Sequence, residues 1–83
     1  MALLDLLGRR WALRVLWELR SERLGFRELQ ERCDSMSASV LSRRLAELGE
    51  AGVVDSDEAG YGLTAEGRSL LGSLAELDGW AKR

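Results

Sequence analysis

The segment Ser37–Val54, SASVLSRRLAELGEAGVV, constrains the fold more than any other part of the chain. Leu41, Leu45 and Leu48 recur at i, i+4 and i+7, so a helix gathers them on one face that needs a core. Ser39, Ser42, Arg43 and Ala46 recur at i, i+3, i+4 and i+7 on the opposite face. That second face is small, hydroxylated and tipped with a guanidinium. Short side chains admit close approach to a DNA groove, while Arg reaches base edges or phosphate. The helix is expected to stop at Gly52, where two β-branched residues follow at once.

A chain of 83 residues has room for one domain around one core. Apolar residues reach 46%, which places it among folded rather than disordered chains. The net charge of −2 argues mildly against a nucleic-acid partner, but its distribution does not. Residues 1–46 hold nine Arg and six acids, whereas residues 47–83 hold three basic residues and eight acids. The proposed reading helix thus lies mostly in the positive half, so one face of the fold can meet phosphate while the rest repels it. The opening MALLDLLGRR does not read as a signal peptide, because Asp5 interrupts a short apolar run and the arginines follow it. No apolar stretch approaches the roughly 18 residues of a membrane span. A single Cys forbids an internal disulfide. A cytoplasmic location, with no membrane partner, is expected.

Periodicity predicts a helix over Leu7–Arg20, with Trp11, Val15 and Leu19 on one stripe widened by Ala12 and Leu16. Leu3–Leu7 is a lead-in turn or an extension of it, with Gly8 a candidate break. Leu24-Gly25-Phe26 is too short to stand alone but can pair on the edge of a small sheet. Phe26–Cys33 reads as a second helix, broken by Asp34 and Ser35. Ser37 is placed to cap the third. Val53–Asp55 and Tyr61–Leu63 read as two strands around the turn residues Asp57–Gly60. Thr64 caps a last helix running to about Trp80, with Leu70, Leu74, Leu77 and Ala81 as its stripe. The expected fold is mainly α with a small β-hairpin, in the order helix, short strand, helix, helix, hairpin, helix. That order is the winged helix-turn-helix arrangement.

Four motifs in this order resemble HxlR-type transcriptional regulators, a winged-helix group related to the MarR type. Leu7-Gly8-Arg9-Arg10-Trp11 resembles that family's Gly-x-Lys/Arg-Trp opening, and Phe26-x-Glu28-Leu29 the start of its second helix. Ser37–Val54 resembles its third helix and the turn after it without a gap. Tyr61-x-Leu63-Thr64-x-x-Gly67-x-x-Leu70 resembles its wing exit and last helix, and Trp80 sits where that helix commonly carries Trp. The resemblance implies a single DNA-binding domain over residues 1–83. In it, residues 1–21 form the first helix and a dimer contact, 26–50 the helix-turn-helix, 53–63 a short wing, and 64–82 a dimerisation helix. It further implies a homodimer with the helix at Ser37–Gly49 in the major groove. The chain departs from the family in its very short wing, which is acidic at Asp55, Asp57 and Glu58. It also lacks the N-terminal cysteine with which some members sense redox state, so that property is not implied.

The expected DNA contacts are Arg43, Ser39 and Ser42 at base edges, Ser37 as a cap that also meets phosphate, and Arg27 at phosphate. Each has a plainer alternative: an exposed Arg43 pairing with Glu47, a simple cap at Ser37, solvated serines and an ordinary surface Arg27. Arg44 is better read as a stem packed on the core edge beside a carboxylate. Arg9 and Arg10 are read as solvated or carboxylate-paired. Trp17 lies off the main stripe and Trp80 ends a leucine-rich helix. With Leu74 and Leu77 they form the expected dimer interface, against the alternative of a peripheral core role. Cys33 is expected to be a buried, inert thiol. Gly67 is expected to allow close packing of the last helix against Tyr61.

Enzyme chemistry has little to work with. The chain has no His, and one Cys cannot build a structural zinc site. It has no Gly-rich phosphate loop or Gly-x-Ser-x-Gly turn, and Asp55, Asp57 and Glu58 lack calcium-loop spacing. No cofactor and no metal are expected. The expected partner is double-stranded DNA carrying an inverted repeat. The competing reading is a winged-helix protein-interaction module, which the acidic wing and a pI near 5.1 favour.

Overall fold

The computed structural model describes residues 3–81. Its elements are α1 (Leu3–Leu7), α2 (Ala12–Glu18), α3 (Phe26–Arg32), α4 (Ala38–Glu50), β1 (Val54–Asp57), β2 (Gly60–Leu63) and α5 (Ala65–Ala81). The architecture is mainly helical with one antiparallel hairpin, a winged helix-turn-helix. Val15, Leu16, Leu19, Leu24, Leu29, Cys33, Met36, Leu41, Leu45 and Leu48 bury together, joined by Val53 after α4 and by Val54 and Leu63 of the hairpin. The leucine stripe of α4 therefore finds the core that its spacing demanded.

The helix expected over Leu7–Arg20 spans only Ala12–Glu18, and Leu3–Leu7 is a separate short helix, with the break falling at the candidate position Gly8. Gly8 and Arg9 turn out of α1, and the chain re-enters helix only at Ala12. Trp11, the residue before α2, has φ 78°, a left-handed conformation that costs a bulky side chain about 1–2 kcal/mol. Tertiary contacts hold it. The Arg44 Nε–H donates to the Arg10 carbonyl at 2.8 Å, and Arg9 pairs with Glu47 at 3.5 Å. Trp11 is half-buried against the core edge, and the fully buried stripe runs through Ala12, Val15, Leu16 and Leu19.

The turn between α3 and α4 reverses on Asp34 and Ser35, with φ 59° and 54°. Gln30 closes it by donating Nε2–H to the Met36 carbonyl at 2.8 Å. Arg14 of α2 fastens the same turn. It donates to Glu18 at 2.8 Å and to the Arg32 carbonyl at 2.6 Å, and it pairs with Asp34 at 3.3 Å. The Ser37 hydroxyl accepts the Val40 N–H at 3.4 Å and so begins α4 as a cap.

The hairpin pairs Val54 with Leu63, Asp55 with Gly62, Ser56 with Tyr61 and Asp57 with Gly60. Its first strand starts one residue later and ends two residues later than the expected Val53–Asp55, and Val53 is instead spent closing α4 through its N–H to the Leu48 carbonyl at 3.1 Å. Glu58 and Ala59 form the bend, and Gly60 carries its positive φ of 116°. The expected edge strand is reduced to Leu24, which bridges Tyr61 with N–H to carbonyl distances of 3.0 and 2.8 Å. The Thr64 hydroxyl caps α5 by accepting the Gly67 N–H at 3.0 Å, and donates to the Gly52 carbonyl at 2.6 Å. Gly67 does permit a close approach, but the neighbour is the Val53 carbonyl rather than Tyr61.

Candidate nucleic-acid interface

The outward face of α4 is built by subtraction. Leu41, Leu45 and Leu48 are buried, while Arg44 and Glu47 lie half-buried on the flank facing the Gly8–Trp11 loop. Ser39, Ser42, Arg43 and Ala46 are left exposed together, with Glu50 closing the same side at the helix end. Glu47 does not pair with Arg43. It binds Arg44 at 2.8 Å and Arg9 at 3.5 Å, so the flank takes up the carboxylate that i,i+4 spacing offered to Arg43. Among the described residues Arg43 has no ion pair or side-chain hydrogen bond. Five guanidinium donors thus point away from the body with no internal competitor.

Ser37 and Ser39 lie within hydrogen-bond distance, Oγ to Oγ 2.9 Å, at the start of the same helix. Ser42 is exposed one turn further on. Arg27 is exposed in the first turn of α3 and has no ion pair among the described residues. The structure brings Ser37, Ser39, Ser42 and Arg43 onto one helix surface, with Arg27 on the preceding helix. Arg10, read as solvated or paired, is exposed with its guanidinium 5.8 Å from the Trp11 ring centroid.

The hairpin has a feature that sequence reasoning missed. Arg23, in the loop before Leu24, donates from Nη2 to Asp55 at 2.6 Å and from Nε to Asp57 at 3.0 Å. Its Nη2 also reaches the Gly60 carbonyl at 3.0 Å. Gly62 lies beneath it, and a Cβ there would collide with the guanidinium. Hydrogen bonding to Asp55 raises the already high pKa of Arg23, so it stays charged throughout the working range. More than thirty residues separate Arg23 from both partners. The only local signal was the alternation of Asp55 and Asp57, which puts both carboxylates on one face of a strand.

A second exposed region is apolar. Trp17 of α2 is 47% exposed, and Leu77 and Trp80 of α5 are 62% and 72% exposed. Arg20 stacks 3.8 Å from the Trp17 ring centroid. Leu13, Trp17, Leu71, Leu74 and Ala75 line a shallow groove of about 480 Å³ between α2 and α5, with Asp78 at its edge. Leu74 sits half-buried in this groove, whereas Leu77 and Trp80 line a separate surface of α5 together with Ser73, Glu76 and Gly79. Cys33 is buried, and burial pushes its thiol pKa up, with Arg14 only partly opposing. Among the described residues no helix is long and apolar enough to cross a membrane, and no cluster of acidic, His or Cys side chains could hold a metal.

A helix-turn-helix with an exposed second helix and a hairpin after it defines a winged-helix DNA-binding domain. Residues 6–83 match the family described as HxlR-like helix-turn-helix. The uncharacterised HTH-type transcriptional regulator YvaP of Bacillus subtilis is 33% identical, covering 93% of this chain and 78% of its own length. Quinone-bound YodB from B. subtilis superposes with a TM-score of 0.86 at 31% identity, covering 94% of this chain and 89% of that one. A possible HxlR family transcriptional factor from Thermoplasma volcanium superposes at 0.85 with 26% identity, covering 99% and 80%. The chain belongs to the HxlR-like helix-turn-helix family, a family of DNA-binding transcriptional regulators whose members are in general not enzymes.

Proposed function

We propose that the protein regulates transcription as a homodimer that places α4 in the major groove of an inverted-repeat operator. One observation carries this reading: the exposed face of Ser39, Ser42, Arg43 and Ala46, on which the Arg43 guanidinium has no ion pair or hydrogen-bond partner among the described residues. Arg43 reads a base edge, with guanine the natural bidentate partner, and Ser39 and Ser42 contact neighbouring edges. Ser37 and Arg27 bind phosphate and fix the register. Trp17, Leu74, Leu77 and Trp80 form the contact between protomers, burying aromatic and leucine surface that a monomer exposes. The two copies of α4 then lie about 34 Å apart, one turn of duplex.

Selection of bound sequences from a random duplex pool at moderate salt tests this reading. The expected product is a two-fold symmetric site with half-sites one helical turn apart. Arg43→Ala is expected to keep stability within about 0.5 kcal/mol, as for an exposed residue, and to relax the preference at one position of each half-site. Enrichment of no sequence, together with no salt-sensitive duplex binding, would move the assignment to a protein-interaction module.

A further inference from the structure

The residues of the hairpin, 54–63, contain three acids and neither Lys nor Arg. The cation at this edge comes from the loop between α2 and α3. Arg23 is held there by Asp55, Asp57 and the Gly60 carbonyl, on a floor cleared by Gly62. Asp57 is fixed in turn, because its Oδ1 also accepts the Ala59 N–H at 2.8 Å. Backbone bonds between Leu24 and Tyr61 pin the loop one residue away. The result is a guanidinium whose carboxylate-matching fork is already occupied, at the edge of a hairpin that follows α4 directly.

We propose that Arg23 is a withheld DNA contact: Asp55 and Asp57 keep its guanidinium on the hairpin and so prevent the wing from gripping phosphate. The inference rests on the DNA-binding reading above and adds a specificity-determining role to it. Phosphate contacts supply binding without sequence preference, while base edges supply selectivity. A wing that cannot offer its guanidinium lowers affinity for every sequence alike. The α4 contacts then carry a larger share of the discrimination. Carboxylates released from Arg23 would also repel a passing phosphate, so the clamp and the acidity of the wing act in the same direction.

The test uses the full chain and a mixed-sequence duplex, with affinity followed by fluorescence anisotropy across a salt series. The Asp55→Asn/Asp57→Asn variant keeps one oxygen acceptor at each position, enough for the single contact each makes with Arg23, so the hairpin persists, but it removes the charges that outcompete phosphate. Its slope of log affinity against log salt is expected to steepen by about 0.9, the value of one added phosphate contact. Affinity at 0.1 M salt should rise roughly tenfold by the same counterion release. Adding Arg23→Gln should return the slope to that of the wild type. An unchanged slope in the Asn variant overturns the proposal, as does a gain that survives the loss of Arg23, which would belong to carboxylate repulsion alone. If the triple variant does not fold, the Arg23 Nε–H resonance decides. It should shift on duplex addition in the Asn variant and stay fixed in the wild type; no difference between the two refutes the clamp. Wild-type binding to a selected operator is measured alongside, so failure of the clamp is distinct from failure of the α4 reading.

Discussion

Replacing Gly67 by Ala should weaken the fold, although the same change one turn and a half later in the same helix should strengthen it. Both Gly67 and Gly72 lie within α5. In a helix interior, Gly is less favourable than Ala by roughly 0.5–1 kcal/mol, chiefly through backbone entropy. A Cβ on Gly72 meets nothing within 4 Å, so Gly72→Ala should recover about that amount. A Cβ on Gly67 would enter the envelope of the Val53 carbonyl oxygen, well inside the 3.0 Å that real Cβ contacts respect. Neither side yields easily. The Val53 carbonyl accepts the Thr64 N–H at 3.1 Å, and Thr64 caps α5 while bonding to Gly52. Moving α5 away therefore loosens the cap and the hairpin exit together. Overpacking of this kind costs about 1–3 kcal/mol, so the net loss is about 1–2 kcal/mol after the helix gain. The two variants should then differ by about 2–3 kcal/mol, which at 4–8 °C per kcal/mol separates their midpoints by roughly 10–20 °C. Thermal unfolding followed by circular dichroism at one fixed protein concentration measures this, since the proposed dimerisation would make the midpoint concentration-dependent. Equal or higher stability in Gly67→Ala would refute the close approach of α5 to the α4–β1 turn.

Further outcomes follow from the same geometry. Ser37→Ala removes the cap of α4 and should cost about 1 kcal/mol, read from urea unfolding. Because Ser37 is also a proposed phosphate contact, the variant should lose duplex affinity as well. Cys33 should resist alkylation in the native protein at neutral pH and react fully once unfolded. Its folded pKa lies above the ordinary thiol value of 9.0, so its contribution to stability is complete below that pH. The contribution is lost as pH rises through the folded value, since the unfolded chain gives up the proton first. The alkaline loss of stability should therefore be shallower in Cys33→Ala than in the wild type, measured as unfolding midpoints from pH 8 to 10.5. Leu77→Ser/Trp80→Ser should leave the monomer fold intact, because both side chains lie outside the core, and should shift a dimer toward monomer in sedimentation velocity. A wild type that sediments as a monomer at high concentration would remove the proposed interface.

What sequence alone determined here was local. The leucine spacing of α4 gives a buried stripe and leaves hydroxyls and Arg43 on the other side, because a 3.6-residue period fixes both faces at once. Ser37 and Thr64 act as caps, and Asp34-Ser35 breaks the chain between α3 and α4, because these effects operate within four residues. Tertiary structure decided which of several equally good local options was taken. Glu47 lay four residues from Arg43 and three from Arg44, and it chose Arg44 and Arg9 only because the Gly8–Trp11 loop docks on that flank. The periodic run from Leu7 was interrupted at Trp11, where a left-handed residue is held by a hydrogen bond from a helix thirty-four positions away. Arg23 and the acids of the wing looked like unrelated surface charges until the Leu24–Tyr61 bridge set them side by side. Periodicity reports which face of an element is wet. It carries no information about which distant segment comes to rest against the flank, because that choice is made by packing the whole core at once.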